Sequence, residues 1–159
     1  MADKIYWREV LVFLRRIIHA TDLQSKRVAK VCGLTIPQVM VLNSIDLLGD
    51  VTVKRISDEV SLSQATVTTI LNRLEDRELL ERVRNPDDKR IVNARLTPAG
   101  KAALQASPPL LHESFIQRFE RLSKREKAEI LASLQTVAKM MDAEDIDDTV
   151  CIVSQPVGA

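Results

Sequence analysis

Apolar residues recur every three to four positions from Ile5 to Val31, with Trp7, Leu11, Leu14 and Ile18 on one stripe and Val10 and Ile17 beside it. That period predicts a long first helix. It is expected to stop near Cys32-Gly33, because glycine takes the left-handed conformation that closes a helix end. Thr35 followed by Gln38, with Pro37 in the first turn, spells a capping box that opens a second helix from Ile36 to about Leu48. That helix is nearly all apolar and belongs in a core. A short helix from Val53 to Val60, a tight Ser61-Leu62-Ser63 turn, and a helix capped by Ser63 that turns Val67, Ile70, Leu71 and Leu74 inward together predict a helix-turn-helix.

Period two then replaces 3.6. Glu81 to Arg84, the turn-rich Asn85-Pro86-Asp87-Asp88, and Ile91 to Leu96, where Val92, Ala94 and Leu96 alternate with Ile91, Asn93 and Arg95, predict a β-hairpin. Thr97-Pro98 restarts a helix, and Ser107-Pro108-Pro109 breaks or kinks it, since proline lacks the N–H donor and restricts the residue before it. A further helix is expected from about Leu110 to Leu122. Ser123 with Glu126 is another capping box, opening a last helix striped by Ile130, Leu134, Val137 and Met141. From about Ala143 the chain is an acidic tail ending CIVSQPVGA, expected to be mobile or irregularly packed.

The fold class that follows is mainly α with a small β-hairpin wing: a winged helix-turn-helix domain plus a helical dimerisation region made from both chain ends. The boundaries are 1–34 for the N-terminal helix, 35–98 for the winged domain, 99–142 for the closing helices and 143–159 for the tail. Long amphipathic helices at both ends leave apolar faces that one copy cannot cover, which predicts two-fold pairing with a second copy.

Composition sharpens this picture. With 159 residues, one Trp, one Tyr and three Phe, the core must be aliphatic, as suits helices packed on helices. A formal net charge of +1 hides an asymmetry. The stretch from Arg82 to Arg95 carries Arg82, Arg84, Lys89, Arg90 and Arg95 against Asp87 and Asp88, while the stretch from Asp142 to Asp148 is acidic throughout its charged positions. A locally basic element on a near-neutral chain suits focused phosphate binding. Cys32 and Cys151 are too far apart for a metal-spaced pair or a disulfide framework, and His19 and His112 are too few for a metal site, so no metal or cofactor is expected. The charged N-terminus and the lack of a long apolar run argue against a signal peptide or membrane span, so the chain reads as cytoplasmic. No Gly-rich phosphate loop, nucleophile–base pair or paired carboxylates stand at usable spacing, which argues against an enzyme.

The candidate chemistry is recognition of double-stranded DNA. On the helix after Ser63, a count of 100° per residue turns Ala65, Thr69 and Asn72 outward, flanked by Thr66, Thr68 and Arg73. Ser63 and Gln64 stand at its N-terminus, where the helix dipole favours phosphate. Threonine and asparagine hydrogen-bond base edges, and small side chains let a helix sit deep in the major groove. A polar helix face alone would be ordinary solvated surface. The hairpin beside it changes that reading, because it places Arg82, Arg84, Lys89, Arg90 and Arg95 next to the helix, and a tip bearing Lys89-Arg90 suits the minor groove, with Asp88 placed to hold the Arg90 guanidinium. The alternative is a winged-helix module that docks on another protein through the same hairpin.

The run ISDEVSLSQATVTTILNRLEDRELLERVRNPDDKRIVNARLTPAGKA resembles the core of the MarR family of regulators: N-R-L-E at the end of the recognition helix, D-x-R at the wing tip and L-T-x-x-G after the second wing strand. The resemblance extends over about residues 5 to 142. It implies a homodimeric repressor with interlocked terminal helices on a palindromic operator, wing-tip roles for Asp88 and Arg90, and a structural or phosphate role for Arg73. The segments LRRIIHATDLQSKRV, SLSQATVTTIL and PPLLHESFIQRFERL are similar to the branch that represses compatible-solute genes, for ectoine or glycine betaine. That likeness implies control of osmolyte synthesis or uptake and response to ionic strength or a small effector. Cys32 raises the alternative of the family's peroxide-responsive branch, against which stand its place at a helix end among Val31, Gly33 and Leu34 and its reading as a structural thiol.

Overall fold

A computed structural model describes residues 3–85, 87 and 92–143. Helix α1 (Asp3–Cys32) leads into α2 (Ile36–Leu48), a short strand β1 (Val51–Thr52), α3 (Val53–Val60) and α4 (Gln64–Asp76). Strands β2 (Leu80–Arg84) and β3 (Val92–Leu96) follow, then α5 (Pro98–Ala106), α6 (Leu111–Glu120) and α7 (Lys124–Met140). The chain is thus mostly helical with one small antiparallel sheet, the winged helix-turn-helix arrangement. Among the described residues no single helix is long and apolar enough to cross a membrane.

The elements start and stop where local chemistry says they should. Gly33 closes α1 at φ 66°, its N–H reaching the Ala29 carbonyl at 2.9 Å. At α2, Gln38 Oε1 accepts from the Thr35 N–H at 2.9 Å, and the capping box is complete. Ser123 and Glu126 make the same reciprocal pair at α7. The hydrogen bonds that the Ser123 hydroxyl and N–H donate to Glu126 hold its carboxyl below the ordinary carboxylate range.

The core is aliphatic and lies between α2, α3, α4 and the sheet. Leu42, Ile45, Ile56, Val67, Leu71 and Leu74 are sealed inside it, with Val51, Leu80, Ala94 and Leu96 closing it from the sheet side. Val28 from α1 and Leu110 before α6 also reach this core, so both ends of the chain are anchored to it.

The sheet corrects the expectation of a two-stranded hairpin. Its order is β1-β3-β2, with Val51 opposite Ala94 and Thr52 opposite Asn93. Two residues are too short for any periodicity, so β1 exists only because β3 offers it an edge. The second strand begins at Leu80, one residue earlier than the pattern predicts, because Leu80 pairs with Leu96 and is buried. Helix α2 is not wholly internal either: Leu47 is 73% exposed on its outer side.

Gly100 fixes the base of the hairpin. A Cβ there would stand 1.8 Å from the Leu79 carbonyl oxygen, so only glycine fits. Thr97, three residues before it, caps α5 by accepting from the Gly100 N–H at 3.0 Å and donates its own hydroxyl to the Glu78 carbonyl at 2.7 Å. The Thr97 N–H reaches the Leu79 carbonyl at 3.2 Å. The L-T-x-x-G motif therefore clamps the start of α5 to the turn that joins α4 to β2.

Outside the core, the long terminal helices present apolar side chains to the surface. Trp7 is 53% exposed and Ile17 56%, joined by Phe13, Ile18, Phe115, Leu134 and Met140. Helix α7 has no buried residue. Trp7, Val10, Leu11 and Leu14 of α1 and Val137 and Met140 of α7 line an apolar groove of about 600 Å³. Gln24 ties the first of these helices to the proline break: its Nε2 donates to the Pro109 carbonyl at 3.0 Å and its Oε1 accepts from the Leu111 N–H at 2.9 Å. The expected stop at Ser107-Pro108-Pro109 falls between α5 and α6.

Candidate nucleic-acid interface

The helix-turn-helix is held by its own polar groups. Ser61 ends α3 in the left-handed conformation at φ 56°. The buried Ser57 hydroxyl donates to the Leu62 carbonyl, and the Leu62 N–H returns to the Ser57 carbonyl at 3.2 Å. Ser63 then caps α4 by accepting from the Thr66 N–H at 3.1 Å. With Val67, Ile70, Leu71 and Leu74 buried, α4 presents Gln64, Ala65, Thr68, Thr69, Asn72 and Arg73 on its exposed side, and Ser63 is exposed at its head.

Thr66 departs from the expected face. It is only 5% exposed, and its hydroxyl lies 2.7 Å from Ser63 Oγ. The reason is its position one residue before Val67, on the rim of the buried stripe. It serves the start of the helix and does not stand on the open face. The hydroxyls of Thr68 and Thr69 donate back along the helix, to the Gln64 carbonyl at 2.8 Å and the Ala65 carbonyl at 3.1 Å. Their protons are thereby occupied, and the outward groups are oxygen lone pairs and methyls.

The cations of the hairpin divide into two sets. Arg95 forms a two-pronged pair with Asp50, Nε to Oδ1 at 2.9 Å and Nη2 to Oδ2 at 2.7 Å, and faces Glu81 across the sheet. The hydrogen bonds from Arg95 hold the Asp50 carboxyl below the ordinary carboxylate range against the opposing effect of desolvation, and the charge of Arg95 adds to the lowering. Arg82 is similarly engaged. Its Nη2 donates to Asn72 Oδ1, and its Nε lies 3.6 Å from Glu75 Oε2. Arg84, at the end of β2, is exposed and without a carboxylate partner among the described residues. Asp88, Lys89 and Arg90, expected at the wing tip, lie outside the described residues.

Thus the local excess of positive charge read from Arg82 to Arg95 is smaller in the fold than in the chain, because Asp50 and Glu75 come to it from other elements. The fold also supplies cations that the expectation left out. Lys54 and Arg55 are exposed on α3, the first helix of the motif, which crosses the phosphate backbone in helix-turn-helix proteins. The V-K-R-I sequence at that helix start was the available signal. Cys32 is half-buried, and its thiol donates to the Val28 carbonyl at 3.1 Å.

A family model described as the MarR family matches residues 34–92. The transcriptional regulator YwhA of Bacillus subtilis is 32% identical over 127 residues, which cover 76% of this chain and 91% of YwhA. Among solved structures, the PcaV transcriptional regulator of Streptomyces coelicolor, in complex with its natural ligand, superposes with a TM-score of 0.56 at 25% identity and covers 81% of this chain and 91% of PcaV. A mutant of MepR from S. aureus bound to an oligodeoxyribonucleotide shares the fold, with a TM-score of 0.53 at 21% identity over 83% of this chain and 97% of MepR.

Proposed function

The chain belongs to the MarR family of DNA-binding transcriptional regulators, and from that premise we propose that it is a homodimeric repressor that lays α4 in a major groove and its hairpin along the neighbouring minor groove. It is a regulator and not an enzyme. The observation that carries the proposal is the exposed face of Ala65, Thr68, Thr69 and Asn72 on a helix whose other face is sealed in the core, beside a hairpin fixed at its base by Thr97 and Gly100. Small polar groups meet base edges there, and Arg84, Arg73, Lys54 and Arg55 surround them as phosphate partners. Lys89 and Arg90, with Asp88, take the wing-tip role.

The apolar faces of α1, α6 and α7 support pairing of two copies through the chain ends, which makes the operator palindromic with half-sites about 10 base pairs apart centre to centre. The compartment is the cytoplasm, and the partners are the operator and a second copy.

The test is binding to operator DNA at a series of salt concentrations. Replacing Arg84 or Arg90 by Ala is expected to weaken binding and to lower the salt slope by about one unit each. Replacing Arg95, already paired with Asp50, is expected to leave the slope unchanged. Equal slopes for all three variants would refute the proposed phosphate contacts of the wing.

A narrower reading, repression of ectoine or glycine betaine genes with release by ionic strength or a small effector, rests on the likeness of segments such as LRRIIHATDLQSKRV and SLSQATVTTIL to that branch. Transcript levels of such genes in a strain lacking this chain, with and without salt, test it: no change in either condition would dismiss it. A redox role for Cys32 is less supported, because the thiol is half-buried and hydrogen-bonded inside its own helix. Peroxide-dependent operator release that Cys32→Ser abolishes would reverse that preference.

A further inference from the structure

Asn72 stands on the outward face of α4, in line with Ala65 and Thr69, at positions i, i+4 and i+7. Its amide has two chemically opposite ends: Oδ1 accepts, and Nδ2 donates. Arg82 reaches it from β2 and donates from Nη2 to Oδ1, while Arg82 Nε is steadied 3.6 Å from Glu75 Oε2, three residues further along the same helix. A guanidinium carries donors only, so the end of the amide that faces Arg82 must be the oxygen. The chemistry of the partner therefore fixes which way the amide is turned. Nδ2, with its two N–H groups, is the end left for the groove.

From this geometry we infer that Arg82 is a positioning residue for sequence specificity: it holds Asn72 as a hydrogen-bond donor, so that α4 selects a base with a keto acceptor, guanine or thymine, at the position Asn72 meets. The inference rests on the proposed role of α4 in the major groove. Guanine O6 and N7 and thymine O4 are acceptors on that edge, whereas the two-pronged asparagine contact to adenine needs Oδ1 for the N6 amino group as well as Nδ2 for N7. With Arg82 already donating to Oδ1, the adenine N6 amino group must share that oxygen with a cation, whereas the two Nδ2 donors are unshared, so an acceptor-only edge is favoured. The same engagement means that Arg82 contributes little to phosphate binding, since Glu75 already balances its charge.

The experiment is selection of DNA from a random pool by the full chain and by its R82M, R82K, N72A and R82M/N72A variants. The wild type is expected to select guanine or thymine at one position of each half-site, and N72A to lose the preference at that position alone. R82M, which fills similar space without a donor, is expected to shift that position toward adenine by about tenfold in relative enrichment and to leave the other positions as they were. R82K, which keeps a donor for Oδ1, is expected to retain the wild-type base. The double variant is expected to match N72A, because Arg82 acts through Asn72.

If N72A alters one position and R82M leaves that position unchanged, the inference is overturned while base reading by α4 stands. If R82M weakens every position equally, Arg82 is a general brace of the wing and the inference is also overturned. If N72A changes no position, base reading at Asn72 fails, and the inference falls with it. Should R82M not fold, as judged by its helical circular dichroism, R82L against R82K at the same position decides between these outcomes, with wild-type preference retained by R82K and lost by the donor-free R82L expected.

Discussion

The core around α4 and the helices at the two chain ends are built from the same aliphatic residues, yet they are finished to different degrees. Around α4, the inward side chains are buried in one cluster with residues of α2, α3 and the sheet, and the Ser57 and Ser63 hydroxyls satisfy polar groups of the turn. In α1, α6 and α7, equally apolar stripes end at the surface of a single copy. The difference teaches that the hydrophobic pattern says which face is to be covered and not by what. The core is a local product of one chain. On the proposed pairing of two copies, the terminal helices are half of an interface, and their stability is tied to its completion.

The comparison can be broken most severely at its tightest point. Gly100→Ala forces a Cβ onto the Leu79 carbonyl and is expected to cost at least about 4 kcal/mol, enough to leave the winged domain unfolded, as circular dichroism and operator binding would show. Leu71→Ala, at a side chain 1% exposed, is expected to cost about 2–5 kcal/mol in urea unfolding, by the same amount at every protein concentration.

Ile17→Asp sharpens the other half of the contrast. On a face open in one copy, it is expected to convert a dimer to monomer in sedimentation, with a loss of stability of about 1–3 kcal/mol that depends on concentration. No change in mass would mean that the stripe is not covered by a second copy. Ser57→Ala removes the hydroxyl that ties the helix-turn-helix turn and is expected to cost about 1–2 kcal/mol and to weaken operator binding in parallel.

The smallest effect concerns acid. A carboxylate whose pKa is lower folded than unfolded contributes stability that is complete above the unfolded value and is lost as pH falls through the folded one. Asp50 and Glu126 are both of this kind. The melting temperature is therefore expected to fall as pH drops below the ordinary carboxylate range, and Asp50→Asn to remove a small, salt-sensitive part of that fall. An unaltered pH profile in Asp50→Asn would show that the Arg95 pair adds nothing to stability.

Much of the fold and of the candidate site is legible in the amino-acid sequence. The capping boxes at Thr35 and Ser123, the stop at Gly33, the break at Pro108 and Pro109, and the outward face of α4 all follow from periods and turn residues within a few positions of one another. Most of the misses share a cause. Strand β1 and the neutralisation of Arg95 and Arg82 depend on elements that meet only after docking, while Thr66 sits at the rim of a stripe that a count of 100° per residue draws too narrowly.

What the order of residues determined alone was the helices and hairpin, which faces are apolar, and the presence of threonine and asparagine beside arginine, because hydrogen-bond caps and hydrophobic periods act over one or two turns of chain. Which cations stay free, how the Asn72 amide is turned, and how Gln24 binds Pro109 from 85 residues away were decided by tertiary structure. A charge or an amide acquires its partner from whatever the packing brings within about 3 Å, and no short-range rule contains that distance.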